Sequence, residues 1–157
     1  MSEPIPVVLD ASAVLTWLAA EPGEQYIDPL LDGGLISAVN LGEVLYKVAE
    51  HGSDPGEIAE DLAGYGLRTV PFSAAQAGLL PALRNADRAT RPEPVPGTRR
   101  RGVRPSLSLA DLCCLALACE QQATVVTGDR HWLALDLPVL VIDFRDPGAT
   151  LPGARHS

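Results

Sequence analysis

The sequence predicts an α/β protein, a three-layer α/β/α domain with helices on both faces of a central parallel sheet of about five strands. Three observations lead there. Short apolar runs alternate along the chain with segments of helical period, the order that builds parallel sheets. The runs are continuously apolar, as Val7-Val8-Leu9 is, which suits strands buried on both faces. Finally, 157 residues, 46% hydrophobic and 20% charged, describe one ordinary globular domain with a single sizeable core.

Taken in order, residues 6–10 read as a short buried strand, and residues 11–20 continue as an apolar helix. Residues 24–32 read as a second short helix, stopped by Gly33-Gly34. Leu35-Ile36-Ser37 is strand-like. From Asn40 to His51 a helical period sets Leu41, Val44, Leu45, Val48 and Ala49 on one face. Pro55 in a first turn starts a further helix that ends near Gly64 and Gly66. Residues 67–72 read as strand, 74–89 as helix, and 108–122 as a helix apolar nearly all round. Residues 123–127 and 139–142 complete the strands, with a short helical piece at 130–135. There are no internal repeats.

The domain is expected to span residues 1–145. Residues 90–107 stand out as a loop insertion, with Pro92, Pro94, Pro96, Pro105 and an arginine triplet; a structureless loop of this length is usually functional or disordered. Residues 146–157 read as a flexible tail. The apolar runs are too short for a membrane span, and Met1-Ser2-Glu3-Pro4 lacks the basic start of a signal peptide, so a cytoplasmic location is expected. Cys113, Cys114 and Cys119 share one apolar stretch without metal spacing. They read as small core residues, and zinc is excluded.

Twelve basic against twenty acidic side chains give −8, which argues against indiscriminate nucleic-acid binding. Seven of the twelve cations nevertheless fall between Arg84 and Arg104. Within that run Arg99, Arg100, Arg101 and Arg104 are either a solvated loop or a local patch for a phosphate backbone. Nothing supports a membrane partner.

The chemistry lies with four carboxylates. In open parallel sheets ligands bind at the carboxyl ends of the strands, and Asp10 and Asp129 stand at two such ends. Each also has a plain reading as a helix N-cap. Glu43 lies opposite the apolar stripe of its helix with Lys47 four residues on, the spacing of a solvated ion pair. Ser108-Leu-Ala-Asp111 matches a capping box, yet Asp111 shares its face with Cys114 and Ala118. A carboxylate there needs a cation or several donors, so capping and metal binding are both open. Hard oxygen donors without histidine or thiol would suit Mg²⁺ or Mn²⁺. Such ions polarise phosphate oxygens and acidify water, as phosphodiester hydrolysis requires. Spacing alone does not bring the four acids together.

Other chemistries lack their residues. There is no Gly-x-Ser-x-Gly elbow and no Walker-type loop. His51 and His156 read as exposed. His131 reads as surface, with substrate contact the alternative. Trp17 and Trp132 read as core or interface anchors.

Val8-Leu-Asp10-Ala-Ser12-Ala, Asn40-Leu-Gly-Glu43-Val, Leu107-Ser-Leu-Ala-Asp111 and Thr127-Gly-Asp129-Arg-His-Trp132 resemble the ordered acidic motifs of PIN-domain nucleases. Similarity is greatest to the VapC-like toxins of toxin–antitoxin pairs. The resemblance covers roughly residues 6–143 and departs from the family in the longer Pro/Arg-rich segment near 92–106. It implies a PIN fold and a metal-dependent endoribonuclease using Mg²⁺ or Mn²⁺, with Asp10, Glu43, Asp111 and Asp129 as its acidic site. Ser12 and Thr127 match supporting hydroxyls. A homodimer and a cognate VapB-like antitoxin are also implied, and the arginine patch becomes a candidate RNA contact. Two alternatives differ in class. One is a phosphoaspartyl phosphatase or receiver-like module using Asp10, although Ser12 stands where a phosphatase of that kind has a second acid and the only lysine, Lys47, lies mid-helix. The other is a PIN-fold interaction protein without turnover.

Overall fold

In this computed structural model, residues 3–90, 96–97 and 106–146 are described. Five parallel strands, β1 (Val7–Leu9), β2 (Leu35–Ser37), β3 (Arg68–Val70), β4 (Thr124–Thr127) and β5 (Val141–Asp143), form one sheet in the order β3-β2-β1-β4-β5. Helices α1 (Ala11–Leu18), α2 (Glu24–Ile27), α3 (Ala38–Glu50), α4 (Pro55–Gly64), α5 (Ala74–Ala89) and α6 (Leu109–Gln121) connect them, with 3-10 turns at Asp28–Leu30 and Arg130–Ala134.

Successive side chains of a strand point to opposite faces, and here both faces are covered. Val8, Leu35, Val125 and Val141 join one core with Leu83 of α5 and Leu112 and Leu115 of α6. Their neighbours Leu9, Ile36, Val126 and Ile142 join a second core with Val14 of α1, Val44 of α3 and Leu62 of α4. The continuous apolar runs follow from this three-layer arrangement. Each buried Val, Leu or Ile stabilises the fold by roughly 1.5–3 kcal/mol, and a polar residue in place of Val8, Val125 or Val126 would have no wet face to occupy.

The strand order positions the site. From β1 the chain adds β2 and β3 on one side, whereas β4 and β5 lie on the other. The carboxyl ends of β1 and β4 therefore flank the point where the winding reverses, the place at which open α/β sheets form their crevice.

Most element boundaries shift by one or two residues from the sequence expectation, and four of the differences have an identifiable local reason. The helix expected over 24–32 stops being α-helical at Ile27 and continues as a 3-10 turn, because Pro29 has no N–H for an α-helical bond. The helix expected from Asn40 starts at Ala38, where the Ser37 hydroxyl accepts from Val39 N–H at 3.3 Å. The strand expected over 67–72 pairs only over Arg68–Val70, since Pro71 cannot extend the ladder. The last strand runs over Val141–Asp143 rather than 139–142. Pairing of Val125 with Val141 sets that register and leaves Leu140 exposed.

Cys113 and Cys114 are buried and Cys119 partly so, all as free thiols. Trp132 sits in the first core. Trp17 meets Tyr65 edge-on, with ring centroids 4.8 Å apart, and donates its indole N–H to Asp28. His131, expected at the surface, is partly buried, and its Nε2 has no hydrogen-bond partner among the described residues. Arg99, Arg100, Arg101, Arg104 and residues 147–157 lie outside the described residues. No described helix is long and apolar enough to cross a membrane.

Candidate active site

Asp10 follows β1 directly, and its N–H still donates to Val126 O of β4 at 3.0 Å. Its side chain is thereby turned to the end of the sheet, 5% exposed. Two hydroxyls converge on Oδ2: Ser12 Oγ donates at 2.7 Å and Thr127 Oγ1 at 2.9 Å. Both hydroxyls are themselves acceptors, Ser12 from Gly128 N–H at 3.0 Å and Thr127 from Asp129 N–H at 3.1 Å. The backbone donors occupy the hydroxyl lone pairs, so each hydroxyl proton is directed to Asp10. Burial nevertheless dominates and pushes the Asp10 carboxyl up to about 6; the two hydroxyl bonds oppose the rise, and the negative charge of Asp111 adds to it.

Asp111 is reached from α6. Ser108 Oγ accepts from Asp111 N–H at 3.1 Å while Asp111 Oδ2 accepts from Ser108 N–H at 2.9 Å, a complete capping box. The same side chain lines the cleft with Asp10, so capping the helix does not take it out of the cleft. Burial raises its pKa first, opposed by the Ser108 contacts; the charges of Glu43 and Asp129 raise it further. Asp111 is thus coupled electrostatically to all three other acids. Cys114, fully buried on the same helix, reports the same field. Its thiol is pushed well above its ordinary value by burial and then by Asp10, Asp111, Cys113 and Glu43.

Glu43 makes the expected ion pair, Oε1 to Lys47 Nζ at 3.2 Å, and also lines the cleft. Its helix is docked by Asn40, three residues earlier on the same face. Asn40 is fully buried and donates from Nδ2 to Ala110 O at 3.1 Å, in the first turn of α6. Asp129 caps the turn after β4, Oδ1 accepting from His131 N–H at 3.0 Å. A second clamp fixes the entry to α6. Buried Asp87 accepts from Leu107 N–H at 3.1 Å and pairs with Arg84, whose Nη1 donates to Leu107 O at 2.8 Å.

Asp10, Glu43, Asp111 and Asp129 line one cleft of about 340 Å³, together with Ser12. Thr127 stands behind it, bonded to Asp10. Sequence reasoning missed Thr16, Glu21 and Arg145, which line the same cleft. Only the rule that sites form past strand ends could have drawn attention to Arg145, two residues beyond β5. Among the described residues no three His, Cys, Asp or Glu side chains meet closely enough to cage an ion. The donor set fits a hard divalent cation in a different way. Mg²⁺ keeps several waters and takes one or two carboxylates plus substrate phosphate, whereas dedicated cages suit other ions.

Comparison with known proteins agrees with this architecture. A family model described as PIN domain matches residues 7–137. Among solved structures, VapBC2 from Rickettsia felis, bound to a DNA fragment from its promoter, aligns with TM-score 0.60 and 17% identity, covering 87% of this chain and 97% of that one. A toxin–antitoxin complex from Klebsiella pneumoniae aligns with TM-score 0.64 and 16% identity over 85% and 95% of the two chains. FitAcB from Neisseria gonorrhoeae gives TM-score 0.57 and 24% identity over 86% and 95%. No curated protein matches in sequence.

Proposed function

The chain belongs to the PIN domain family, and from that premise we propose that it is a Mg²⁺- or Mn²⁺-dependent endoribonuclease, the toxin of a type II toxin–antitoxin pair. One observation carries the reading: the four strand-end and helix acids expected from sequence line a single cleft at the switch point of the sheet. A phosphodiester brought there needs its charge neutralised, and the carboxylates need a cation to relieve their mutual repulsion. Asp10, Glu43, Asp111 and Asp129 would hold the ion between them, one or two directly and the others through its waters. When bound, it supplies charge neutralisation at phosphorus and acidifies water.

The chain's own residues set the rest of the chemistry. Ser12 and Thr127 fix one oxygen of Asp10, leaving the carboxylate oriented at the cleft floor. The Ser108 capping box and the Asn40 contact hold Asp111 and Glu43 toward it from two helices. Arg99, Arg100, Arg101 and Arg104 are proposed to contact the RNA backbone. A cytoplasmic homodimer with a VapB-like antitoxin completes the reading; of these, the toxin–antitoxin complexes among its structural neighbours support the antitoxin.

PIN family membership displaces the phosphoaspartyl alternative, and the interaction-protein alternative is separated by assay. Purified protein with Mg²⁺ or Mn²⁺ should cleave single-stranded RNA, chelator should stop it, and Asp10→Asn or Asp129→Asn should abolish it while remaining folded. Cleavage by these variants at the wild-type rate would remove the catalytic assignment. A wild-type protein that cleaves no RNA with either metal would favour binding without turnover.

A further inference from the structure

Arg145 lines the same cleft as the carboxylates, and its guanidinium is held in place there. Nη1 donates to Gly128 O at 3.3 Å and Nη2 to Thr16 Oγ1 at 3.3 Å. The group lies 4.9 Å from the centroid of the Phe144 ring. Its backbone N–H donates to Asp143 Oδ1 at 2.9 Å, which fixes the chain as it leaves β5.

Gly128 makes room for it. This glycine is not among the described residues with positive φ, so the backbone does not demand a missing side chain. The space does. A Cβ there would stand 2.8 Å from Arg145 Cζ and Nη1 and 3.1 Å from the Phe144 ring. The glycine between Thr127 and Asp129 thus lets a guanidinium approach the peptide that joins two of the candidate site residues.

The other cation of the cleft, Lys47, is engaged by Glu43 at 3.2 Å. Arg145 makes no ion pair among the described residues. Its anchors are a carbonyl and a hydroxyl, both neutral, so its charge is not cancelled at short range. A guanidinium also has more donors than two acceptors use. An exposed guanidinium fork, anchored by two hydrogen bonds and without an ion pair at the edge of a mainly acidic cleft, suits an anion that accepts two parallel hydrogen bonds. The geometry points to Arg145 as the residue that binds a backbone phosphate of the RNA in the cleft, held in position by Gly128 and Thr16. This inference rests on the nuclease reading above.

Its test is binding of a short fluorescent single-stranded RNA across a salt series, read by anisotropy with Ca²⁺ as the cation, beside melting curves. Arg145→Ala should bind roughly tenfold more weakly, and its salt slope should shrink by about 0.7, one phosphate contact on a single strand. Arg145→Lys should keep the slope and regain part of the affinity, because the ammonium keeps the charge without the fork. Gly128→Ala, which displaces the guanidinium while leaving it in the chain, should also weaken binding. A merely structural role would lower the melting temperature and leave the salt slope unmoved. Wild-type affinity and slope in folded Arg145→Ala, beside a wild-type protein that does bind, would overturn the Arg145 assignment alone. A wild-type protein that binds no RNA would overturn the nuclease reading, and the assignment with it.

Discussion

Thr127 Oγ1 lies 2.9 Å from Asp10 Oδ2, across the parallel pair β1 and β4, and joins residues 117 positions apart. The pairing of Leu9 with Val126 makes the contact unavoidable, since the next residue of each strand then stands beside the other. The same hydroxyl accepts from Asp129 N–H, so one side chain ties two candidate catalytic residues together. Ser12 makes a parallel link through Gly128 N–H. A buried carboxylate held by two oriented hydroxyls has consequences that can be measured.

The first concerns pH. The folded protein holds the Asp10 proton up to about 6, whereas the unfolded chain releases it near 3.8. Between those values the native state binds more protons, so ionising Asp10 lowers stability as pH rises through about 6. The difference corresponds to up to about 3 kcal/mol. In chelator, Asp10→Asn should therefore be more stable than wild type at pH 8, and the gap should close toward pH 4. Urea titrations of both proteins across that range measure it. A gap independent of pH would show that Asp10 ionises as freely in the fold as in the unfolded chain.

The supporting hydroxyls should act through Asp10. Each stabilises its carboxylate form, so Ser12→Ala or Thr127→Val should move the acid limb of the kcat/KM profile to higher pH, by about one unit. The profile on an RNA substrate is the readout. An acid limb that stays in place would separate these hydroxyls from the catalytic ionisation.

Asp111 carries both a cap and a buried charge, and two substitutions separate them. Asn keeps an acceptor for Ser108 N–H and removes the charge, whereas Ala removes both. Without metal, Asp111→Asn should melt above wild type, and Asp111→Ala should lie below Asp111→Asn by about 1 kcal/mol. Mg²⁺ should raise the melting temperature of wild type more than that of either variant. If Asp111→Asn melts below wild type in chelator and neither responds to Mg²⁺, Asp111 is a cap alone.

Replacing Arg99, Arg100 and Arg101 by alanine should weaken RNA binding and reduce its salt slope, by up to about 2 if all three meet phosphates. Equal affinity at low salt would leave them as a solvated loop.

The layered architecture was legible in the sequence because burial on both faces of a strand leaves a local trace. Val7-Val8-Leu9 and Thr124-Val-Val-Thr127 have no polar alternation to mistake for a wet face. Asp10 and Asp129 were legible for a related reason, since each ends such a run. Glu43 and Asp111 were ambiguous, because an ion pair with Lys47 and a capping box are complete local explanations, and both are present. Periodicity reports what one element buries and not what it faces beyond its own helix.

Only the tertiary structure decided that the four acids share a cleft. That outcome depends on strand order, which places β4 beside β1, and on Asn40, Arg84 and Asp87 fixing α3 and α5 against the entry to α6. Arg145 had no local signal beyond its place two residues past β5. Its anchors, Gly128 and Thr16, lie 17 and 129 residues away. Contacts of that span are made by packing after the strands pair, and the residues around Arg145 in sequence carry no record of them.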